Sequence, residues 1–302
     1  MGLELRADRD RWLPAIDPDG HALVVSCGTA LRMATLALAA AGWDIKVQRI
    51  PNSDDPDLLA RVTVLHESEP SYQELSAALS KVRAAVRRRS DRRPLDGGSV
   101  PQEVVDELGQ AGDCADGVTV AVVGHPDQVL DIAVVTAWSD RVEQGLDDMQ
   151  REIARWVRDD DSHPDGVPAT AVPRASGRHG NLAQRDFEQH RGIGRLPVPH
   201  GVDDRPLVAV VLTDSDDVEH RLRAGEALLE LLLLAERAGL ASCPLSQPVD
   251  LPAGRARLRT LLSWEQYPQM LVRIGVPLAG SRPPLTPRRP VDGLVDDDSA
   301  DG

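Results

Sequence analysis

One pattern of helix length occurs twice in this chain. Gly28-x-Ala30-Leu31 is followed by ten residues and Gly42, and Gly225-x-Ala227-Leu228 is followed by ten residues and Gly239. In both copies the two glycines stand 14 positions apart. Further on, Leu58-Leu59-Ala60-Arg61-Val62-Thr63-Val64 has a counterpart in Met270-Leu271-Val272-Arg273-Ile274-Gly275-Val276. Two readings are open. Ala/Leu helices that stop on glycine can resemble one another by chance, because helix ends reuse few residue types. Alternatively, a unit has been duplicated and its copies pack as a pseudo-dimer, with Gly28 and Gly225 permitting close backbone approach.

The rest of the chain alternates helices and strands. Leu3–Arg6 reads as an edge strand and Asp17–Gly20 as a turn. Residues 22–41 form a helix that ends at Gly42, and 45–50 and 58–66 form strands. Ser71-x-x-Glu74 is a capping box, followed by Leu75, Leu79, Val82 and Val86 on one helical face. Ser99-x-x-Gln102 resembles a second capping box. Val118–Val123 reads as a strand buried on both faces. Helices are predicted at 126–138 and 144–158, with Trp138 and Trp156 on apolar faces. After an irregular stretch at 159–205, a strand (207–212), two helices (217–238, 253–263) and a strand (270–276) follow.

With 41% hydrophobic residues but only 3% aromatic ones, the 302-residue chain has the material for an aliphatic core. The net charge of -14 argues against a general nucleic-acid binder, which needs a broad basic face. Three cysteines with no Cys-x-x-Cys pair suggest neither a disulfide framework nor zinc, and point to a cytoplasmic location. The start lacks the apolar core of a signal peptide. The run Ala227–Ala235 is too short to span a bilayer, so no membrane partner is expected. No Gly-x-Gly-x-x-Gly follows a strand, and no P-loop or Gly-x-Ser-x-Gly occurs, which disfavours a Rossmann enzyme, a P-loop NTPase and an α/β-hydrolase. Nothing in the spacing of His163 and its neighbouring aspartates fits a metal site.

Against this acidic background, Arg87-Arg88-Arg89-Ser90-Asp91-Arg92-Arg93 places five arginines in seven positions. On an extended backbone, period two puts Arg88, Ser90 and Arg92 on one face, as two guanidinium forks and a hydroxyl suited to a phosphate. The plainer alternative is a solvated helix end whose arginines complement the dipole. Thr286-Pro287-Arg288-Arg289-Pro290 is a second, stiffened basic element. Ala238–Ser246 reads as a small-residue loop leaving a helix, able to admit a flat ring to the backbone. Cys243 lies within it with no resolving cysteine near in sequence.

The order of these segments resembles the nitroreductase-like FMN flavoprotein family of actinobacteria of the Acg type. The likeness runs from Asp8-Arg9-Asp10-Arg11 and Ser26-Cys27-Gly28 through Arg87–Leu95, Asp165-Gly166-Val167-Pro168, Gly239–Ser246 and Pro268–Gly275 to Thr286–Pro290. It implies an α+β, nitroreductase-like fold of two fused half-domains forming an intramolecular pseudo-dimer. The halves would be residues 1–70 and 71–295, with 159–205 a lid-like loop and 296–302 an acidic disordered tail. It further implies FMN held by Arg88, Ser90 and Arg92, with phosphate contacts from Thr286, Pro287, Arg288 and Arg289, and Pro244, Leu245 and Ser246 near the ring. No side chain is expected to act as a catalytic acid, and no metal is expected. NAD(P)H would donate electrons, a small quinone or nitro compound would accept them, and the chain would act as a monomer. The family begins with a helix and a Ser-x-His-Asn-x-Gln-Pro-Trp segment that this sequence lacks. The first half is therefore expected to be truncated and FMN binding weakened. The alternative is a degenerate protein that sequesters flavin without turnover, or an acidic protein whose 159–205 loop binds a partner.

Overall fold

The computed structural model describes residues 2–159, 163–174, 182–189, 191–199, 201–202, 204–280 and 282–295. In chain order these form β1 (Gly2–Arg6), α1 (His21–Ala40), β2 (Trp43–Arg49), β3 (Leu58–Glu67), α2 (Tyr72–Arg87), α3 (Gln102–Gly109), β4 (Val118–Val123), α4 (Pro126–Gln144) and α5 (Asp147–Trp156). They continue with the two-residue strands β5 (Val157–Arg158) and β6 (Val167–Pro168), then β7 (Leu207–Thr213), α6 (Val218–Arg237), β8 (Ala241–Leu245), α7 (Gln247–Asp250), α8 (Pro252–Leu261) and β9 (Tyr267–Gly275). The tail expected from residue 296 lies outside the described residues.

The duplication legible in the sequence is matched in topology. The first sheet has the order β1-β3-β2 and the second contains β7-β9-β8, every pairing antiparallel. In each, a helix (α1 or α6) follows the first of these strands. The second sheet has one strand more, β4, on the far side of β7. The two helices cross at the paired glycines. A β-carbon on Gly28 would lie 2.8 Å from the Gly225 Cα, and one on Gly225 would lie 2.7 Å from the Gly28 Cα. No other residue fits at either position, so α1 and α6 touch backbone to backbone.

Both faces of the second sheet are covered. Ala209, Val211, Val272 and Ile274 pack on α6 through Ala224, Ala227, Leu228 and Leu231. On the opposite face Val208, Val210, Leu245 and Leu271 pack with Ile132 and Val135 of α4 and Leu258 of α8. The first sheet packs on one face only. Val24 and Leu31 of α1 meet Leu59, Ala60 and Val62, while Glu4, Lys46 and Arg61 are exposed on the other side. Helix α1 has the length and apolar character of a membrane span, and in this fold it packs against α6 and the first sheet.

Several local expectations are corrected. The Ser99-x-x-Gln102 pattern makes no capping box: Pro101 occupies the N-cap and no side chain caps the helix. Pro101 itself is extended (ψ 144°), so the helix starts only at Gln102. Gly145 separates α4 from α5, and Leu146 is an exposed N-cap residue outside the apolar face. Strand β4 packs on both faces as expected, Val120 into one core cluster and Val123 into the other, but it is an edge strand and its Thr119 is exposed. The 238–246 stretch is mostly the paired strand β8 rather than a loop. Within 159–205, Leu182, Ala183 and Leu196 are buried and Pro173 bridges Leu196, while residues such as His163, Arg174, Arg191 and Pro197 are exposed.

Candidate anion-binding site

Helix α2 opens on the predicted capping box. The Glu74 backbone N–H donates to Ser71 Oγ (3.3 Å), and the Ser71 backbone N–H donates to Glu74 Oε2 (2.8 Å). It ends at Arg87, after which the chain turns extended at Arg88. Residues 90–96 then run beside the second sheet. Ser90 bridges Ser242 in parallel, the Asp91 N–H donates to the Ser242 carbonyl (2.9 Å), and Asp96 pairs with Val276. This docking against β8 and β9 makes the backbone extended and sets the alternation of side chains. Asp91 and Arg93 form a buried ion pair with each other (2.8 Å). Burial raises the pKa of the Cys243 thiol, and the charges of Arg92, Arg273 and Arg88 oppose that rise.

Arg88 and Arg288 come together although both are cations. Burial lowers the Arg88 pKa from its ordinary value, and the nearby Arg288 charge lowers it further. Arg89 is lowered in the same way, by burial and by Arg282 and Arg288. The Arg88 guanidinium reaches Ser90 Oγ at 3.5 Å. Arg288 folds back on its own loop, donating to the Thr286 hydroxyl, the Thr286 carbonyl (2.9 Å) and the Pro287 carbonyl (3.0 Å). The two basic segments, some 200 residues apart in sequence, thus act on one another electrostatically. A dianion is the species that would relieve the repulsion.

Arg92 is held differently. Its guanidinium lies 4.8 Å from the centre of the Phe187 ring and donates to the Ala171 carbonyl (3.4 Å). Burial lowers its pKa. Pro244 and Leu245 belong to β8, opposite Val272 and Leu271. The Leu245 side chain is in the core, so only its backbone can face a ligand. Ser246 directs its hydroxyl to Asp250 (3.3 Å), which is ion-paired to Arg185. Arg289 stands apart from Arg288: its guanidinium is 3.9 Å from Asp8 in the first half. Arg88 thus lies beside Ser90 and within electrostatic reach of Arg288, whose loop carries Thr286 and Pro287; Arg92 sits against Phe187 and Ala171, Ser246 on Asp250, and Arg289 near Asp8.

Sequence reading missed several of the charges that build this region. Arg185 bridges Glu143 (2.9 Å) and Asp250; burial opposes its charge, but the two carboxylates outweigh burial and hold it protonated. Arg273, fully buried in the middle of β9, pairs with Asp204 at 3.0 Å and supports the Arg93 carbonyl. An arginine amid Leu-Val-Arg-Ile-Gly was a visible signal, since a strand interior tolerates a charge only with a partner. Nothing local marked Phe187, the one phenylalanine in the chain, as the ring over Arg92.

No protein-family model matches the chain. Among individual proteins, the "Putative NAD(P)H nitroreductase Rv3131" of Mycobacterium tuberculosis is 34% identical over 304 residues, spanning 97% of this chain and 83% of that one. The "Putative NAD(P)H nitroreductase acg" of the same organism is 30% identical over 287 residues, spanning 94% and 84%. Solved structures resemble it more loosely. A nitroreductase with bound FMN from Desulfitobacterium hafniense has 13% identity and a TM-score of 0.46, over 72% of this chain and 97% of that one. One from Bacteroides fragilis, also with bound FMN, has 17% identity and a TM-score of 0.44, over 72% and 97%. That structural likeness is too loose to carry an assignment. With about a third of its residues identical to the first of these mycobacterial proteins across nearly its full length, the chain belongs to the Acg-type nitroreductase-like family.

Proposed function

We propose that this protein binds FMN between Arg88–Arg92 and the Thr286–Arg288 loop, and passes electrons from NAD(P)H to a small quinone or nitro acceptor. The observation that carries the reading is the repulsion between the half-buried Arg88 and the exposed Arg288, which an FMN phosphate dianion would neutralise. Arg88 and Arg288 would hold the phosphate, Ser90 would donate from its hydroxyl, and the backbone of Pro244 and Leu245 would border the ring. The relatives named as NAD(P)H nitroreductases support the donor. Bound there, FMN supplies the two-electron redox chemistry. The chain's own part is to position the nucleotide, fix its charge and exclude water; no side chain of the group is placed as a proton donor. The pairing of α1 with α6 and the repeated topology support reading the two halves as an intramolecular pseudo-dimer.

The test is titration of the full chain with FMN, followed by flavin fluorescence. Wild type should bind. Arg88→Ala should weaken binding about 10- to 100-fold, in line with roughly 1.5–3 kcal/mol for a charge-assisted hydrogen bond. Absence of binding by the wild type would sink the reading. A second reading, flavin storage without turnover, draws on the cover over Arg92 by Phe187. Steady-state NAD(P)H oxidation with a quinone acceptor separates the two: turnover rules out storage alone.

A further inference from the structure

The apolar stripe of α2 faces away from the protein. Tyr72, Leu75, Leu79, Val82 and Val86 follow a spacing of three and four, the a and d positions of a heptad. In a helix packed on a core, such a stripe faces inward. Here the opposite side is attached. Ala84 is the one buried residue of α2, and it packs with Leu36 of α1 and with Leu229 and Leu233 of α6. Beside it, Lys81 pairs with the buried Glu230 of α6 at 2.8 Å. Tyr72 is 86% exposed, Val86 68% and Leu79 37%, and Leu75 and Val82 are half-buried. Among the described residues, none of the five belongs to a core cluster.

The charges around the stripe indicate what covers it. Glu67, Glu69 and Glu74 lie at its N-terminal end, and Arg83 and Arg87 at its C-terminal end. Laid antiparallel on itself about Leu79, the helix sets Tyr72 against the partner's Val86 and Leu75 close to the partner's Val82. The same two-fold brings the acidic end of each copy to the basic end of the other. A stripe that is self-complementary in both shape and charge fits an isologous contact. A membrane surface fits less well, because an interfacial helix carries a basic polar face and this chain has a net charge of -14.

We propose that α2 is a dimer seam, pairing antiparallel with α2 of a second copy of this chain. The contact leaves the Arg88–Arg288 group within each chain, so it does not depend on the flavin reading. A seam of a single 16-residue helix per copy is small beside a standard interface of roughly 800 Å² per partner, so the association is expected to be weak.

The experiment is light scattering of the full chain after gel filtration, over about 1 to about 100 µM, a range chosen to bracket a micromolar dissociation constant. The wild-type mass should rise from 32.7 kDa towards twice that value. Leu79→Lys should raise the dimer dissociation constant at least about ten-fold, the loss of roughly 1.4 kcal/mol. Tyr72→Lys, at the most exposed position, should act in the same direction, with unchanged circular dichroism and melting temperature showing both folds intact. Arg83→Glu should weaken association by setting like charges across the seam. A wild type that stays monomeric throughout the range overturns the proposal and leaves the stripe to another partner. A dimer that survives both lysine variants also overturns it.

Discussion

Two arginines that repel one another, with Glu236 acting the other way, are held by the folding of everything around them. Arg88 follows directly from the end of a helix that the sequence announces with its capping box, so its position is nearly a local property. Arg288 is delivered by a proline-flanked loop after the last strand, and only chain closure brings it to Arg88. The buried histidine His21 is another residue whose chemistry depends on its neighbours. It begins α1, is fully buried, and shares a hydrogen bond with Gln269 at 2.8 Å. Burial, aided by the charges of Arg255 and Arg221, lowers its pKa from 6.5 to about 4; Asp19 and the Gln269 bond act weakly the other way. Folded His21 is neutral where the unfolded chain would bind a proton, so stability is full above pH 6.5 and falls as the pH drops towards 4. The loss across that window is roughly 3 kcal/mol at most. In denaturant titrations at pH 7, 6, 5 and 4, His21→Gln should flatten the wild-type decline by about this amount. Equal slopes in the two proteins would refute the assignment.

At the scale of elements, the decisive contact is α1 on α6. The glycine at each crossing point was visible in the sequence as a repeat, and its use as a point of backbone contact follows from the missing side chain. Gly225→Val should push the helices apart and destabilise the protein by at least about 2 kcal/mol, read as a lower denaturant midpoint with unchanged slope. Helix boundaries with clear chemistry, such as Ser71 and Gly42, were legible. Ser99 was not, because the same four-residue spelling cannot act when proline holds the N-cap. Which way an apolar stripe faces was also hidden. Leu75, Leu79, Val82 and Val86 spell a core-facing helix, yet the small residues Ala84 and Ala85 make the closer contact and the stripe turns outward. The β-branched run of β4 does pack on both faces, whereas its place at the sheet edge, beside β7 alone among the described residues, was not visible in the run itself.

At the scale of the molecule, the first-half elements and α2 are fastened to α6 by charges as well as by the glycine crossing. Arg49 grips Glu226 through two hydrogen bonds (2.7 and 2.8 Å), while Arg32 and Lys81 share Glu230. Burial opposes the Glu230 charge, but Lys81 and Arg32 outweigh it and keep its pKa below the ordinary 4.5. A carboxylate lowered in this way stabilises the fold above that value, and the contribution is lost as the pH falls through the folded pKa. Glu230→Gln should therefore cost about 1–3 kcal/mol at pH 7, and the difference from wild type should shrink below pH 4.5. Calorimetry or denaturant melts at both ends of that range check it.

By itself the sequence determined the order and type of most elements, the repeat with its paired glycines, and the arginine-rich segment with alternating sides. These are properties of neighbours along the chain: periodicity, capping and backbone freedom act over a few residues. The tertiary structure alone decided that the charge of Arg288 acts on Arg88, that Phe187 lies over Arg92, that Arg185 joins Glu143 to Asp250, and that the stripe of α2 faces out. Each of these depends on which surfaces close against one another, and that is set by packing density and charge summed over segments remote in sequence, which no local spelling encodes.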